Sequence, residues 1–218
     1  SRRRHTRSFH VTGVQTCALP ILDQLEKILI KSYKQFKYAY GKRHKYDPAN
    51  YVPMRNISGG VGEAFAQMLA DETDDLKVNP HPDGYPDILP NTKEAKKWLE
   101  TPLLEDFKMG GFDVQSKFIS EDSKIDTNAS AHHVYTTSVL NVIWQWKNSV
   151  PFIVGITYTD KLTEKDWPAP SKGKAGSKTT PSCSINKSGK VKLRNNWLFL
   201  DQESVKLHGL SNPKDWNI

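Results

Sequence analysis

The stretch that decides the fold is GGFDVQSKFI, residues 110–119, in which apolar and polar side chains alternate after a pair of glycines. Alternation with a period of two residues is typical of a β-strand with two different faces. One face would carry Phe112, Val114, Ser116 and Phe118, and the other Asp113, Gln115 and Lys117. The second face combines a carboxylate, an amide and an ammonium group. It is either a polar surface in solvent or one wall of a functional site.

A second strand is predicted in GYPDIL, residues 84–89. Pro86 is tolerated at a strand start, and Asp87 is followed by two apolar residues, which favours it over Asp83 as a site residue. A neighbouring strand can place Asp87 beside the polar face of 110–119. Carboxylate and side-chain carbonyl oxygens suit a hard divalent cation such as Mg²⁺. A lysine beside such a cation can orient water and stabilise negative charge on a phosphate.

The rest of the chain predicts further helices and strands around these two. The helices are expected over 22–40, from Gly60 to Leu69, from Thr92 through Leu99 and over Ala131–Lys147, with a polar loop at 41–53. A buried strand is expected over Pro151–Tyr158, and a hairpin over Ile185–Leu200 with its turn at Lys187-Ser188-Gly189. A strand, a helix and a strand in succession predict a right-handed parallel crossover. We therefore predict an α/β fold with a central mixed sheet flanked by helices.

The 218 residues suit one domain, with a core over 22–160 and a basic loop and hairpin over 161–218. Residues 1–21 begin with an Arg-rich stretch and contain no acid, which superficially suggests a targeting peptide. Val11–Ile21, however, resembles translated sequencing-adapter read-through. We expect 1–21 to be an artefactual or disordered segment.

Composition excludes several classes of protein. An aromatic content of 10% and a hydrophobic content of 37% exclude a disordered or collagen-like chain. Two cysteines without a CxxC pair argue against a disulfide framework or structural zinc, and no apolar run is long enough to span a membrane. The net charge of +7 favours an anionic partner, and nine Lys or Arg residues face two acids over 161–194. These features predict a soluble, intracellular protein.

Together, residues 84–89 and 111–117 resemble the signature of the PD-(D/E)XK nuclease superfamily, closest to type II restriction endonucleases. The resemblance covers roughly residues 56–160 and departs from the pattern at Gln115, which gives a QXK variant. It implies a restriction endonuclease-like α/β/α core, Mg²⁺ held by Asp87 and Gln115 with Asp113 in support, and water activated by Lys117. Glu63 looks like the extra glutamate of many such enzymes. It can equally be a solvated acid in the first turn of a helix.

The resemblance also implies double-stranded DNA as partner, a homodimer, a cognate DNA methyltransferase and a prokaryotic cytoplasmic location. The expected DNA-binding residues are Lys172, Lys174, Lys178, Lys190, Lys192, Arg194 and Asn195, unless the basic segment is a solvated linker. His132 and His133 lack a third ligand at metal-binding spacing. Two other functions stay open, namely a structure-specific repair or recombination nuclease of the junction-resolvase kind and a catalytically inactive DNA-binding module.

Overall fold

The computed structural model describes residues 19–40, 54–81, 85–100, 110–120, 125, 127, 129–131, 136–147, 150–168, 183–203 and 206. Its helices are α1 (Leu19–Tyr40), α2 (Met54–Asp71), α3 (Lys93–Leu99), α4 (Lys187–Arg194) and a 3₁₀ turn (Glu164–Asp166). Its strands are β1 (Leu76–Val78), β2 (Ile88–Pro90), β3 (Asp113–Phe118), β4 (Ser130–Ala131), β5 (Val139–Lys147), β6 (Val150–Thr159), β7 (Cys183–Ser184) and β8 (Trp197–Leu200). None of the helices in these ranges is long and apolar enough to cross a membrane.

The central sheet has four strands in the order β3-β5-β6-β8. β3 and β5 are parallel, whereas β5 pairs with β6 and β6 with β8 in antiparallel fashion. An antiparallel pair of β1 and β2 joins this sheet at its β3 edge, because Ile88 and Phe112 exchange two backbone hydrogen bonds of 3.1 Å. A further short pair is formed by β4 and β7. The predicted α/β fold with a mixed sheet is therefore confirmed.

Helices lie on both faces of the central sheet. The main core packs α1 and α2 against the sheet through Leu29, Phe36, Phe65, Leu140 and Trp144, among others. On the other face, Leu193 of α4 packs with Val139 of β5 and with Trp167 and Ile185. Because side chains alternate along β5, Val139 and Leu140 point to opposite faces, so α4 lies across the sheet from α1 and α2.

Several predicted elements are present with small changes of boundary. The first helix begins at Leu19, inside the segment 1–21, of which residues 1–18 lie outside the described ranges. α2 begins at Met54, earlier than predicted, and runs without interruption through Gly59 and Gly60, where an added Cβ would meet no atom within 4 Å. Thr92 caps α3 as predicted, accepting a hydrogen bond from the Ala95 N–H. The predicted loop 41–53 lies outside the described residues.

The prediction of a helix over Ala131–Lys147 is wrong, because Val139–Lys147 is strand β5. Residues 139–144 are all buried, since one side faces α1 and α2 and the other faces α4 and its loops. A strand buried on both faces shows no alternation and resembles a buried helix in its apolar pattern. The predicted parallel crossover from 112–119 to Pro151–Tyr158 is wrong as well, because the parallel partner of β3 is β5, and β6 runs antiparallel to β5.

The predicted hairpin over Ile185–Leu200 is also wrong in its first half. Residues Lys187–Arg194 form α4, and only Trp197–Leu200 form a strand. The side chain of Asn186 accepts hydrogen bonds from the Ser188 and Gly189 N–H groups, so the Lys-Ser-Gly sequence is the first turn of a helix. The N-cap preference of asparagine outweighs the turn preference of Ser-Gly here.

Candidate functional site

The polar face of β3 lies on the side of the sheet away from α1 and α2. Val114 belongs to the main core, and Ser116 touches α2 so closely that a Cβ on Gly62 would lie 3.1 Å from the Ser116 Cβ. The Ser116 hydroxyl also accepts a hydrogen bond of 2.9 Å from the Trp144 indole. Because Val114 and Ser116 face the helices, Asp113, Gln115 and Lys117 face the opposite side, as the alternation predicts.

Asp87 is fixed to the start of β3 by a hydrogen bond. The Val114 N–H donates to Asp87 Oδ2 at 2.8 Å, just beyond the bridge between Ile88 and Phe112. The carboxylate thus takes the N–H that a longer β2 would pair with a backbone carbonyl. In the register of that bridge residue 87 lies opposite residue 113, so the structure brings Asp87 and Asp113 together. Asp113 is buried, whereas Asp87 is partly exposed.

Gln115 is held by the layer that covers this face. The Ser130 N–H of β4 donates to Gln115 Oε1 at 3.3 Å, and β4 in turn pairs with β7. The remaining lone pair of that oxygen and the two carboxylates make a set of hard oxygen donors. Such a set suits Mg²⁺, with Asp87, Asp113 and Gln115 as the residues that could hold it. In the described ranges, no group of three or more His, Cys, Asp or Glu side chains is placed to hold a metal ion, so this set depends on the Gln115 amide oxygen as its third donor.

Two further polar residues extend the site inward and were missed by the sequence analysis. Gln115 pairs in register with Asn141 of β5, and Asn141 pairs with Thr157 of β6, so the three side chains form a row across the sheet. Asn141 and Thr157 are fully buried, and neither the Asn141 amide nor the Thr157 hydroxyl has a hydrogen-bond partner among the described residues. Buried polar groups normally have partners, and buried water commonly supplies them. The available signal was a single asparagine within the apolar run of Val139–Trp144.

Lys117 occupies the same face as Gln115, one step further along β3, and is half-buried. Its Cα partner on β5 is Ile143, which belongs to an apolar cluster with Ile119 and Val154. Within the described part of the chain the ammonium makes no hydrogen bond or ion pair. Lys117 shares this face of β3 with Asp113 and Gln115, and its charge is not neutralised by a described residue, so it is suited to act on a bound anion or water.

Glu63 is not grouped with these residues. It is exposed on α2, directly after Gly62, and α2 packs against the Val114 and Ser116 face of β3. Its place is therefore across the sheet from Asp113 and Gln115. The interpretation of Glu63 as a solvated helix acid fits this position better.

The predicted DNA-binding residues fall into three groups. Lys172, Lys174 and Lys178 lie outside the described residues, as do His132 and His133. Arg194 and Asn195 are exposed at the end of α4, and Lys190 is partly exposed there. Lys192 instead donates to Asp166 Oδ2 at 2.7 Å and to the Lys161 carbonyl at 2.9 Å. Its charge is therefore used inside the fold, which removes it from the strongest DNA-binding candidates.

The ion pair between Lys192 and Asp166 is reinforced by further hydrogen bonds to the Asp166 carboxylate. Burial by itself would raise the pKa of Asp166, but hydrogen bonds from Lys192, Ser188 and Thr163 outweigh burial and lower the pKa to about 2. The carboxylate is thus charged and fully satisfied at neutral pH. It ties the 3₁₀ turn to α4.

Comparison with known proteins gives no relative: no family model, no curated protein and no solved structure matches the chain.

Proposed function

We propose that the protein is a Mg²⁺-dependent endonuclease that hydrolyses phosphodiester bonds of double-stranded DNA at specific sites, like a type II restriction enzyme. The observation that carries this proposal is the hydrogen bond between Val114 and Asp87, which fixes a carboxylate beside the strand that bears Asp113, Gln115 and Lys117. Without that contact the four residues would be a polar surface. With it, a carboxylate lies at the start of the strand face that also carries a second carboxylate, the amide and the ammonium.

The arrangement of the sheet between helices supports the same proposal. A mixed sheet with helices on both faces is what the resemblance to the PD-(D/E)XK superfamily implies for the fold. The aspartate precedes one strand, the QXK triplet lies within the next, and these strands are neighbours through the bridge of Ile88 and Phe112.

In the proposed reaction, Asp87, Asp113 and Gln115 would hold the divalent cation through oxygen atoms. When bound, such a cation supplies positive charge to the scissile phosphate and lowers the pKa of water. Lys117 orients the attacking water and stabilises the negative charge that develops on the phosphate. Attack in line would leave a 5′-phosphate and a 3′-hydroxyl, and the Ser130 N–H keeps the Gln115 oxygen in place.

A second candidate, a DNA-binding module without catalysis, is favoured by one specific observation. The middle acidic position holds Gln115, so the site has one carboxylate fewer and attracts cations more weakly. A third possibility keeps the chemistry and changes the substrate to branched DNA, as in a junction resolvase. Site-specific cutting of palindromes would also imply a homodimer and a protective DNA methyltransferase.

The test is digestion of linear duplex DNA of known sequence and of a four-way junction, each with Mg²⁺ and with EDTA. We expect discrete fragments from the linear duplex with Mg²⁺ and intact DNA with EDTA. Cleavage of the junction alone would replace the restriction proposal with the resolvase one. Retarded DNA without products at any Mg²⁺ concentration would leave only the binding module.

A further inference from the structure

The solvent-facing side of α4 carries a coherent set of residues. Lys187, Val191, Arg194 and Asn195 are separated by helical spacing, so they lie on one face of the helix and its C-terminal extension, and all four are exposed. Val191 has 47% of its surface exposed and is the exposed large apolar side chain in the described part of the chain. The outer face of α4 therefore presents an apolar side chain between two cations.

The opposite side of α4 is anchored at several points. Leu193 is fully buried, and Gly189 fits so closely on Ile185 that a Cβ there would lie 2.2 Å from the Ile185 Cγ1. Asn186 caps the first turn, and Lys192 pairs with the buried Asp166. A helix that contains Ser188 and Gly189 has weak intrinsic stability, so these contacts determine where its outer face points. That face is presented on a fixed scaffold, as a recognition surface requires.

The charged residues on this outer face of α4 are all cations. α4 contains no acid, and Lys187 stands in its first turn, where the helix dipole disfavours a cation. The nearby carboxylate of Asp166 is neutralised by Lys192. A lysine that works against helix stability is better explained by an anion that binds there.

α4 also lies on the same side of the sheet as the candidate catalytic residues. Its Leu193 packs with Val139, and Val139 is the Cα partner of Asp113. The Thr127 hydroxyl donates to the Lys190 carbonyl at 3.0 Å, which ties α4 to the loop before β4, whose Ser130 holds Gln115. One bound molecule can therefore contact α4 and the site from the same direction.

We propose that α4 is the base-reading element and enters the major groove of duplex DNA through Lys187, Val191, Arg194 and Asn195. This rests on the proposed function for its choice of DNA as the ligand. A helix with its side chains is about 10–12 Å in diameter, and the major groove is about 12 Å wide, so a helix fits into it. Arginine reads guanine, asparagine reads adenine, and an apolar side chain contacts the methyl group of thymine. Lys187 contacts phosphate at the helix start.

The test is selection of bound sequences from a pool of random duplexes by the full chain, in EDTA so that no DNA is cut. Arg194→Lys keeps the charge but loses the two-pronged contact to guanine, and Val191→Ala shortens the thymine contact. Lys34→Arg on α1 is the matched control, because Lys34 is exposed on the other side of the sheet. Thermal melting of each variant verifies that it folds.

We expect the unaltered chain to enrich one motif, and Arg194→Lys to relax its guanine preference at one position by about tenfold. Val191→Ala should weaken a thymine preference, and Lys34→Arg should return the original motif. Discrete Mg²⁺-dependent cleavage together with unchanged motifs in both α4 variants would overturn this inference and leave the nuclease proposal standing. Altered motifs in a chain that never cuts DNA would support the reading helix and overturn the nuclease. A chain that enriches no duplex sequence contradicts the inference outright.

Discussion

At the scale of single residues, the position that most affects the proposed chemistry is Gln115. Its amide oxygen is neutral, so Asp87 and Asp113 supply all of the negative charge that the described residues bring to this point. The backbone N–H of Ser130 donates to Gln115, and a carboxylate could accept the same hydrogen bond. The site is therefore able to take a glutamate without rebuilding its surroundings.

Gln115→Glu should lower the Mg²⁺ concentration that gives half-maximal cleavage by roughly tenfold, because an added charge close to a cation contributes on the order of 1–4 kcal/mol. The measurement is the initial cleavage rate across a Mg²⁺ titration. Gln24→Glu on α1 adds the same charge at an exposed position outside the site and should leave the titration unchanged. A rise in the Mg²⁺ requirement of Gln115→Glu would contradict the placement of Gln115 beside the cation.

The sequence predicts the site residues on β3 but not the buried polar residues on the neighbouring strands β5 and β6. Asp113, Gln115 and Lys117 were assigned to one face from alternation alone, and the structure has them there. Asn141 and Thr157 were missed, because their importance depends on a strand register that joins segments far apart in the chain. Glu63 is predicted from its place in the first turn of a helix, and only the packing of Gly62 on Ser116 shows which side of the sheet it occupies.

At the scale of elements, the contact between α2 and β3 sets the strand that carries the site. Gly62 is buried against Ser116, and the Ser58 hydroxyl lies 3.2 Å from the Ser116 carbonyl and 3.2 Å from its hydroxyl. Gly60, two residues earlier, faces open space. Gly60 and Gly62 of the same helix therefore allow a matched comparison of an open and a closely packed position.

Gly62→Val should lower the free energy of unfolding by about 1–3 kcal/mol, because its side chain would push α2 away from β3. Gly60→Val should change that free energy by no more than about 0.5 kcal/mol. Chemical denaturation of both variants is the measurement. Equal stability of the two would mean that α2 does not pack on β3 at Ser116.

The ion pair that attaches α4 to the 3₁₀ turn should make the free energy of unfolding depend on pH. The pKa of Asp166 is about 2 in the folded protein, below the ordinary value of 3.8, so its contribution to stability is fully present above about pH 4. That contribution, about 2 kcal/mol, should be lost as the pH falls through about 2.

Asp166→Asn should therefore destabilise the protein by roughly that amount at neutral pH, and the difference should shrink as the pH approaches 2. Urea unfolding at the two pH values measures it. Glu164→Gln, at an exposed position of the same turn, should show no such change. A gap between Asp166→Asn and the unaltered chain that is independent of pH would show that the carboxylate is not the source of the stabilisation.

The elements also show where sequence patterns stop being informative. Amphipathic helices such as α1 and the half-buried strand β3 were recognisable, because each has one apolar and one polar side. β5 was mistaken for a helix because burial on both faces removes the period that separates the two structures. The β-branched residues Val139, Val142 and Ile143 were the remaining local signal for a strand.

At the scale of the whole molecule, the sheet separates a face that packs against α1 and α2 from a face that carries the candidate site. The side that packs against α1 and α2 holds the main apolar core, whereas the other side carries the polar row of Gln115, Asn141 and Thr157. α4 lies on the side of the candidate site, and its own sequence contains no acid. The arrangement of charge, more than the total of +7, is what favours a nucleic acid as partner.

The most direct test of the nuclease proposal compares Lys117→Ala with the unaltered chain on plasmid DNA of known sequence, with Mg²⁺ and with EDTA, while binding is followed by retardation of duplex DNA. Lys97→Ala, at an exposed position of α3, removes the same charge outside the site. We expect Lys117→Ala to lose cleavage by at least about a hundredfold while its DNA affinity stays within a few-fold, and Lys97→Ala to cut normally. Cleavage by Lys117→Ala at the full Mg²⁺-dependent rate would contradict the site described here.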